Sequence, residues 1–152
     1  MMPLFLALAL TAVPAASPLP PSSPSQPEGE LTFRPSTPAP GQRVEVVYRP
    51  LPSLAGKGRL HLRARLRTSA DESYNQGMGS RTLATLEPGD DGTFRGSCSL
   101  PTDVVYGAFA VEDPEAEVVD TRGGRFWEIL VHDSRGTPLF EALEQRFHDH
   151  MG

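Results

Sequence analysis

The segment RLHLRARLRT, residues 59–68, alternates without a break. Leu60, Leu62, Ala64 and Leu66 fall on one side, and His61, Arg63, Arg65 and Arg67 on the other. A period of two sends successive side chains to opposite faces of a strand. Wound as a helix, the same residues would scatter leucine and arginine around the whole circumference, so the segment specifies a half-buried strand. The rhythm recurs along the chain. In RVEVVYRP, Val44, Val46 and Tyr48 share one face and Glu45 and Arg49 the other. ELTF, SRTLATLE, GTFRGSCSL, VVYGAFAVED and GRFWEILVHD complete seven strand segments, punctuated by Gly, Pro, Asp and Asn. The inward face of SRTLATLE is not defined by its pattern. Asp-Gly in PGDDG, just before Phe94, is a hairpin signal. Seven short strands in about 100 residues predict an all-β, antiparallel β-sandwich. Its expected core comprises Val44, Val46, Leu60, Leu62, Leu66, Phe94, Phe109, Trp127 and Ile129.

The two ends of the chain obey other rules. The first 27 residues carry no charged side chain. Within them LFLALALTAV, residues 4–13, is apolar but shorter than the ~20 residues that span a bilayer. The small residues of PAAS follow, so residues 1–17 read as a secretory signal peptide, cut near Ala15, Ala16 or Ser17. No cysteine follows the run to carry a lipid. Residues 18–30 are rich in Pro and Ser and read as an extended, solvated linker. The sandwich is expected over residues 31–137. At the other end SRG turns the chain, and Pro138 is suited to open a helix over residues 138–152. Leu139, Phe140, Leu143 and Phe147 lie at helical spacing on one stripe. A helix this short is marginal alone in water, so its stripe needs a surface. Either it folds back on the sandwich, or it hands over to a protein partner or a downstream domain.

Net charge is −5 at pH 7, which argues against general nucleic-acid binding. The one cysteine, Cys98, has no internal disulfide partner, so the fold stands on its core. Cys98 shares a face with Phe94, Gly96 and Leu100 and is expected to be a buried thiol. Its neighbours supply no base or positive charge to form thiolate.

The stretches FRPSTPAPGQRVEVVYRPL, GTFRGSCSLP and VEDPEAEVVDTRGGRFWEILVHDSRGTPLFEAL, in that order and spacing, are similar to a known arrangement. The chain resembles the immunoglobulin-like sandwich at the N-terminus of exported bacterial proteins that continue into helical repeats and a thioredoxin-like domain. Near its end, FAVEDPEAEVVDTRGGRFWEI also resembles the last strands of starch-binding sandwich modules. The matching residues are Pro40, Gly41 and Tyr48 in the second strand, and Asp120, Gly123, Gly124 and Trp127 near the end. The resemblance implies a sandwich standing ahead of a functional domain, and points to glycan as an alternative ligand. No Cys-x-x-Cys occurs, so redox activity does not carry over.

Chemistry-bearing residues are sparse. Trp127 shares a face with Ile129 and Val131 and is expected in the core rather than on a sugar-stacking platform. Tyr74, with Asn75 and Gln76, sits in the polar, Gly-rich stretch SADESYNQGMGS, and these three form the candidate ligand-binding set. Asp113, Glu115, Glu117 and Asp120 crowd one hairpin. Their spacing matches no calcium loop, and a solvated acidic loop is expected. His148, Asp149 and His150 do not share a helix face, so no metal site is expected. His61 and His132 are expected on the surface. The row of His61, Arg63, Arg65 and Arg67 forms a basic stripe ~20 Å long. It is expected to pair with carboxylates on neighbouring strands rather than with a polyanion. No G-x-S-x-G and no phosphate-cradling Gly-rich loop occurs. The expectation is therefore a non-catalytic interaction or spacer module, periplasmic or extracellular, with no cofactor and no membrane span after signal removal. A carbohydrate-binding module is the first alternative, and a small exported enzyme the second.

Overall fold

The structure, a computed structural model, describes residues 28–70 and 80–151. These residues hold eight strands: β1 Glu30–Arg34, β2 Arg43–Arg49, β3 Leu60–Thr68, β4 Arg81–Pro88, β5 Phe94–Ser99, β6 Val104–Glu112, β7 Val119–Asp120 and β8 Trp127–Leu130. The seven alternating segments each form a strand. The eighth, β7, is two residues long and pairs Val119 and Asp120 with Glu112 and Val111 of β6. It has too few residues to show a period. A one-turn helix, α1 (Pro52–Ala55), follows β2 and buries Leu54, and a longer helix, α2 (Phe140–Met151), ends the chain.

Every strand pair is antiparallel, in the order β1-β2-β5-β4-β3-β6-β7, with β8 also on β6. One strand joins the two halves. β4 pairs through Arg81 to Leu86 with β3, and through Glu87 and Pro88 with β5. The sheet thereby rolls over its apolar face into a nearly closed, barrel-like body. The seam is drawn together by backbone, where the His132 N–H donates to the Pro38 carbonyl at 2.9 Å.

All nine residues expected in the core are buried there, with Leu31, Tyr48, Leu86, Leu100 and Val131 beside them. Phe33 packs on Phe109 with ring centroids 4.8 Å apart, and Tyr48 meets Trp127 edge-on at 6.0 Å. In β4 only Leu86 is buried, which accounts for the weak pattern of SRTLATLE. Gly96 fills an inward-side position of β5 because a Cβ there would lie 2.6 Å from the Thr85 carbonyl oxygen of β4.

β6 is buried on both faces. Its inner side faces the barrel core. Outside, Tyr106 and Ala108 pack with Val105 against Ala142 of α2. The terminal helix therefore folds back on the sheet. It starts later than expected, because Pro138 is held in a bridge with His132 and the Leu139 N–H donates to the Val131 carbonyl at 2.9 Å. Both residues still belong to the turn. Among the described residues, no helix is long and apolar enough to cross a membrane.

Candidate functional site

The expected ligand set Tyr74, Asn75 and Gln76 lies outside the described residues, as do the signal segment and most of the linker.

The acidic hairpin is solvated only in part. Glu115 and Glu117 are exposed, but Asp113 and Asp120 are buried. Asp113 forms an ion pair with Lys57, Nζ to Oδ2 2.8 Å, and its Oδ1 accepts the Glu117 and Val118 N–H groups. The Lys57 ammonium, then the Val118 N–H, hold this carboxyl below the usual carboxylate range, and Asp113 in turn raises Lys57. Asp120 ties three segments together. Its Oδ2 accepts the Tyr48 hydroxyl at 2.6 Å and the Gly29 N–H at 2.8 Å, and its Oδ1 accepts the Arg122 N–H at 2.9 Å. Burial, then the Asp120 carboxylate, push the Tyr48 hydroxyl far above an ordinary phenol. Gly123 and Gly124 follow with φ of 66° and 85°, values that favour glycine. Tyr48, Asp120, the two glycines and Trp127 are thus one structural clasp. Alternation cannot reveal it, because it joins residues 72 positions apart.

His132 is also buried rather than on the surface. The turn after β8 covers it, and its Nδ1 lies 2.7 Å from the Leu130 carbonyl oxygen. Cys98 is buried as expected, and burial pushes its thiol up to about 11.

The outer face of β1, β2 and β5 carries Arg34, Arg43, Arg49 and Arg95 among Glu30, Glu45 and Asp91. Its charges are of mixed sign, and Arg95 pairs with Asp91 at 2.6 Å.

The basic stripe of β3 leads to the terminal helix. Arg63 pairs with Glu112 of β6 at 3.2 Å, as a neighbouring-strand carboxylate should. Arg65 and Arg67 instead reach Asp149 of α2, at 2.6 and 3.6 Å. The Tyr106 hydroxyl donates to Glu128 at 2.8 Å and lies 3.3 Å from Asp149. Burial and these two carboxylates raise Tyr106 far above an ordinary phenol. Glu128 of β8 also receives Arg146 at 3.0 Å and lies 2.6 Å from His150 Nε2.

The helix is consequently docked by its polar side. Ala142, Gln145 and Asp149 face the sheet, within an arc of ~60° at 3.6 residues per turn. Phe140, Leu143, Phe147 and Met151 occupy an arc of ~80° on the opposite side. They are 74%, 45%, 60% and 73% exposed. The expected stripe exists, but it points away from the sandwich. Leu139 alone of that stripe packs inward. A signal for this inversion was present in the sequence: an arginine row on β3 demands carboxylates, and Asp149 lies opposite the apolar stripe.

Among the described residues, no three His, Cys, Asp or Glu side chains group as a metal site. No family model, curated protein or solved structure matches this chain.

Proposed function

We propose that this chain is a non-catalytic interaction module of an exported protein: an immunoglobulin-like sandwich that presents the outward face of α2 to a protein partner. One observation carries the reading. A helix pinned to the sheet by Asp149, Arg146 and Ala142 holds four large apolar side chains in solvent. The largest apolar patch on a typical monomer, a few hundred Å², is often functional, and larger ones mark interaction sites. The docking below the helix makes the patch rigid, so binding costs little ordering. An apolar leader and a Pro/Ser-rich segment ahead of the domain fit an exported module held at a distance from its neighbours.

A photo-crosslinking residue in place of Leu143 tests this, in the whole chain made by its own cells. A discrete crosslinked species is expected from position 143 and none from position 32, on the outer face of β1. Silence at position 143 would overturn the reading.

A further inference from the structure

We infer that the partner is a second copy of this chain, joined through two α2 helices packed antiparallel about a two-fold axis. The inference rests on the interaction reading above and adds the occupant. The spacing is self-complementary. In an antiparallel pair Phe140 lies against Met151 of the other copy, and Leu143 against Phe147. The two-fold repeats both contacts, which is the form an isologous interface requires. Every contact then joins a rigid ring to a flexible aliphatic side chain. No aromatic meets its own copy face to face, and sulfur meets a ring at each end.

Charge follows the same symmetry. Glu141 and Glu144 lie in the first half of α2; in the second half Arg146 and His150 meet Glu128 and Asp149 meets Arg65 and Arg67, which leaves His148 beside the apolar arc. Antiparallel packing sets the carboxylates of each first half beside the imidazole of His148 on the other copy and opposes the two helix dipoles. Glu144 and His148 border the apolar arc on the same side, so each Glu144 faces the other copy's His148.

The area is sufficient for a weak dimer. Residues of this size expose ~200 Å² each when free. The four exposures then give ~500 Å² per chain. Complete burial of the four side chains on both copies would remove ~1,000 Å² in total, which reaches the lower bound for a specific interface. Lipid is the poorer occupant. A helix lying on a bilayer carries Lys and Arg on its polar face. The polar side of α2 is sealed against β6 and β8, and residues 140–151 hold three carboxylates against one arginine.

Sedimentation equilibrium of the full chain, from ~5 to ~500 µM, is the test, the range being set by so small an interface. A reversible monomer–dimer equilibrium is expected, with Phe147→Ser weakening it at least about tenfold. Phe147 is exposed, so circular dichroism and the melting temperature of the monomeric variant should be unchanged. A chain that stays monomeric throughout overturns the inference. So does a dimer indifferent to Phe147→Ser, or a monomer that floats with phosphatidylcholine vesicles through α2. A crosslink from position 143 to a different protein, with no self-association, overturns the second copy while leaving the interaction reading intact.

Discussion

Removing one hydroxyl from the core tests whether the buried clasp holds the fold together. Tyr48 is fully buried, and its hydroxyl donates to Asp120 Oδ2 at 2.6 Å. Phe in its place fills the same volume and keeps the edge-on contact with Trp127, so no cavity term arises. What is lost is the hydrogen bond to a charged acceptor, worth about 1.5–3 kcal/mol, together with the hydroxyl's backbone hydrogen bond with Leu51. The carboxylate keeps the Gly29 and Arg122 N–H groups. Tyr48→Phe should therefore destabilise the domain by about 2 kcal/mol, a large share of the 5–15 kcal/mol of a typical domain. Asp120→Ala strands three donors and should cost more. Because the two residues share one bond, the double variant should cost about 1.5–3 kcal/mol less than the sum of the singles. Trp127 is the chain's only tryptophan and abuts Tyr48, so its fluorescence reports the transition. With a urea slope of about 1–3 kcal/mol per molar, the Tyr48→Phe midpoint should fall by about 1 M. A midpoint moved by less than the equivalent of about 0.5 kcal/mol, or strict additivity in the double variant, would refute the clasp.

Three further outcomes are expected. Trp127→Ala should cost about 3–5 kcal/mol in chemical denaturation, since the indole closes one end of the core. Asp149→Asn keeps the shape of α2 but removes the charge that holds Arg65 and Arg67. With Arg65 partly exposed, the loss should be about 1 kcal/mol, read as faster amide exchange confined to α2; unchanged exchange would show that the Asp149 charge does not hold the helix. Cys98 should react with iodoacetamide at pH 8 only as fast as the domain opens. Its folded thiol ionises near about 11, above an unfolded cysteine, so the neutral form is favoured by folding. That contribution is complete below the unfolded value and fades as pH rises from there towards 11. Rapid labelling of the native chain would contradict it.

The strand plan was legible in the sequence because alternation is a local property. Leu60 to Leu66 and Val44 to Tyr48 declare their buried face within a few residues, whatever they pack against. The amphipathic terminal helix was legible for the same reason. Local pattern does not state what lies opposite. Asp113 and Asp120 read as a solvated acidic loop because burial of a carboxylate depends on donors brought from afar: Lys57 for one, Tyr48 and Gly29 for the other. His132 read as a surface residue because the turn that covers it is contributed by the chain beyond. The sequence by itself determined which residues form strands, which of their faces is apolar, and that the last turns are an amphipathic helix. Only the tertiary structure decided which side of that helix meets the sheet. Asp149 meets Arg65 and Arg67, Arg146 meets Glu128 and Ala142 packs on β6, and with these on the sheet side Phe140, Leu143, Phe147 and Met151 face outward. Apolar burial is non-directional and accepts many surfaces, whereas partly buried ion pairs such as Asp149 with Arg65 and Arg67 are directional and favour one orientation.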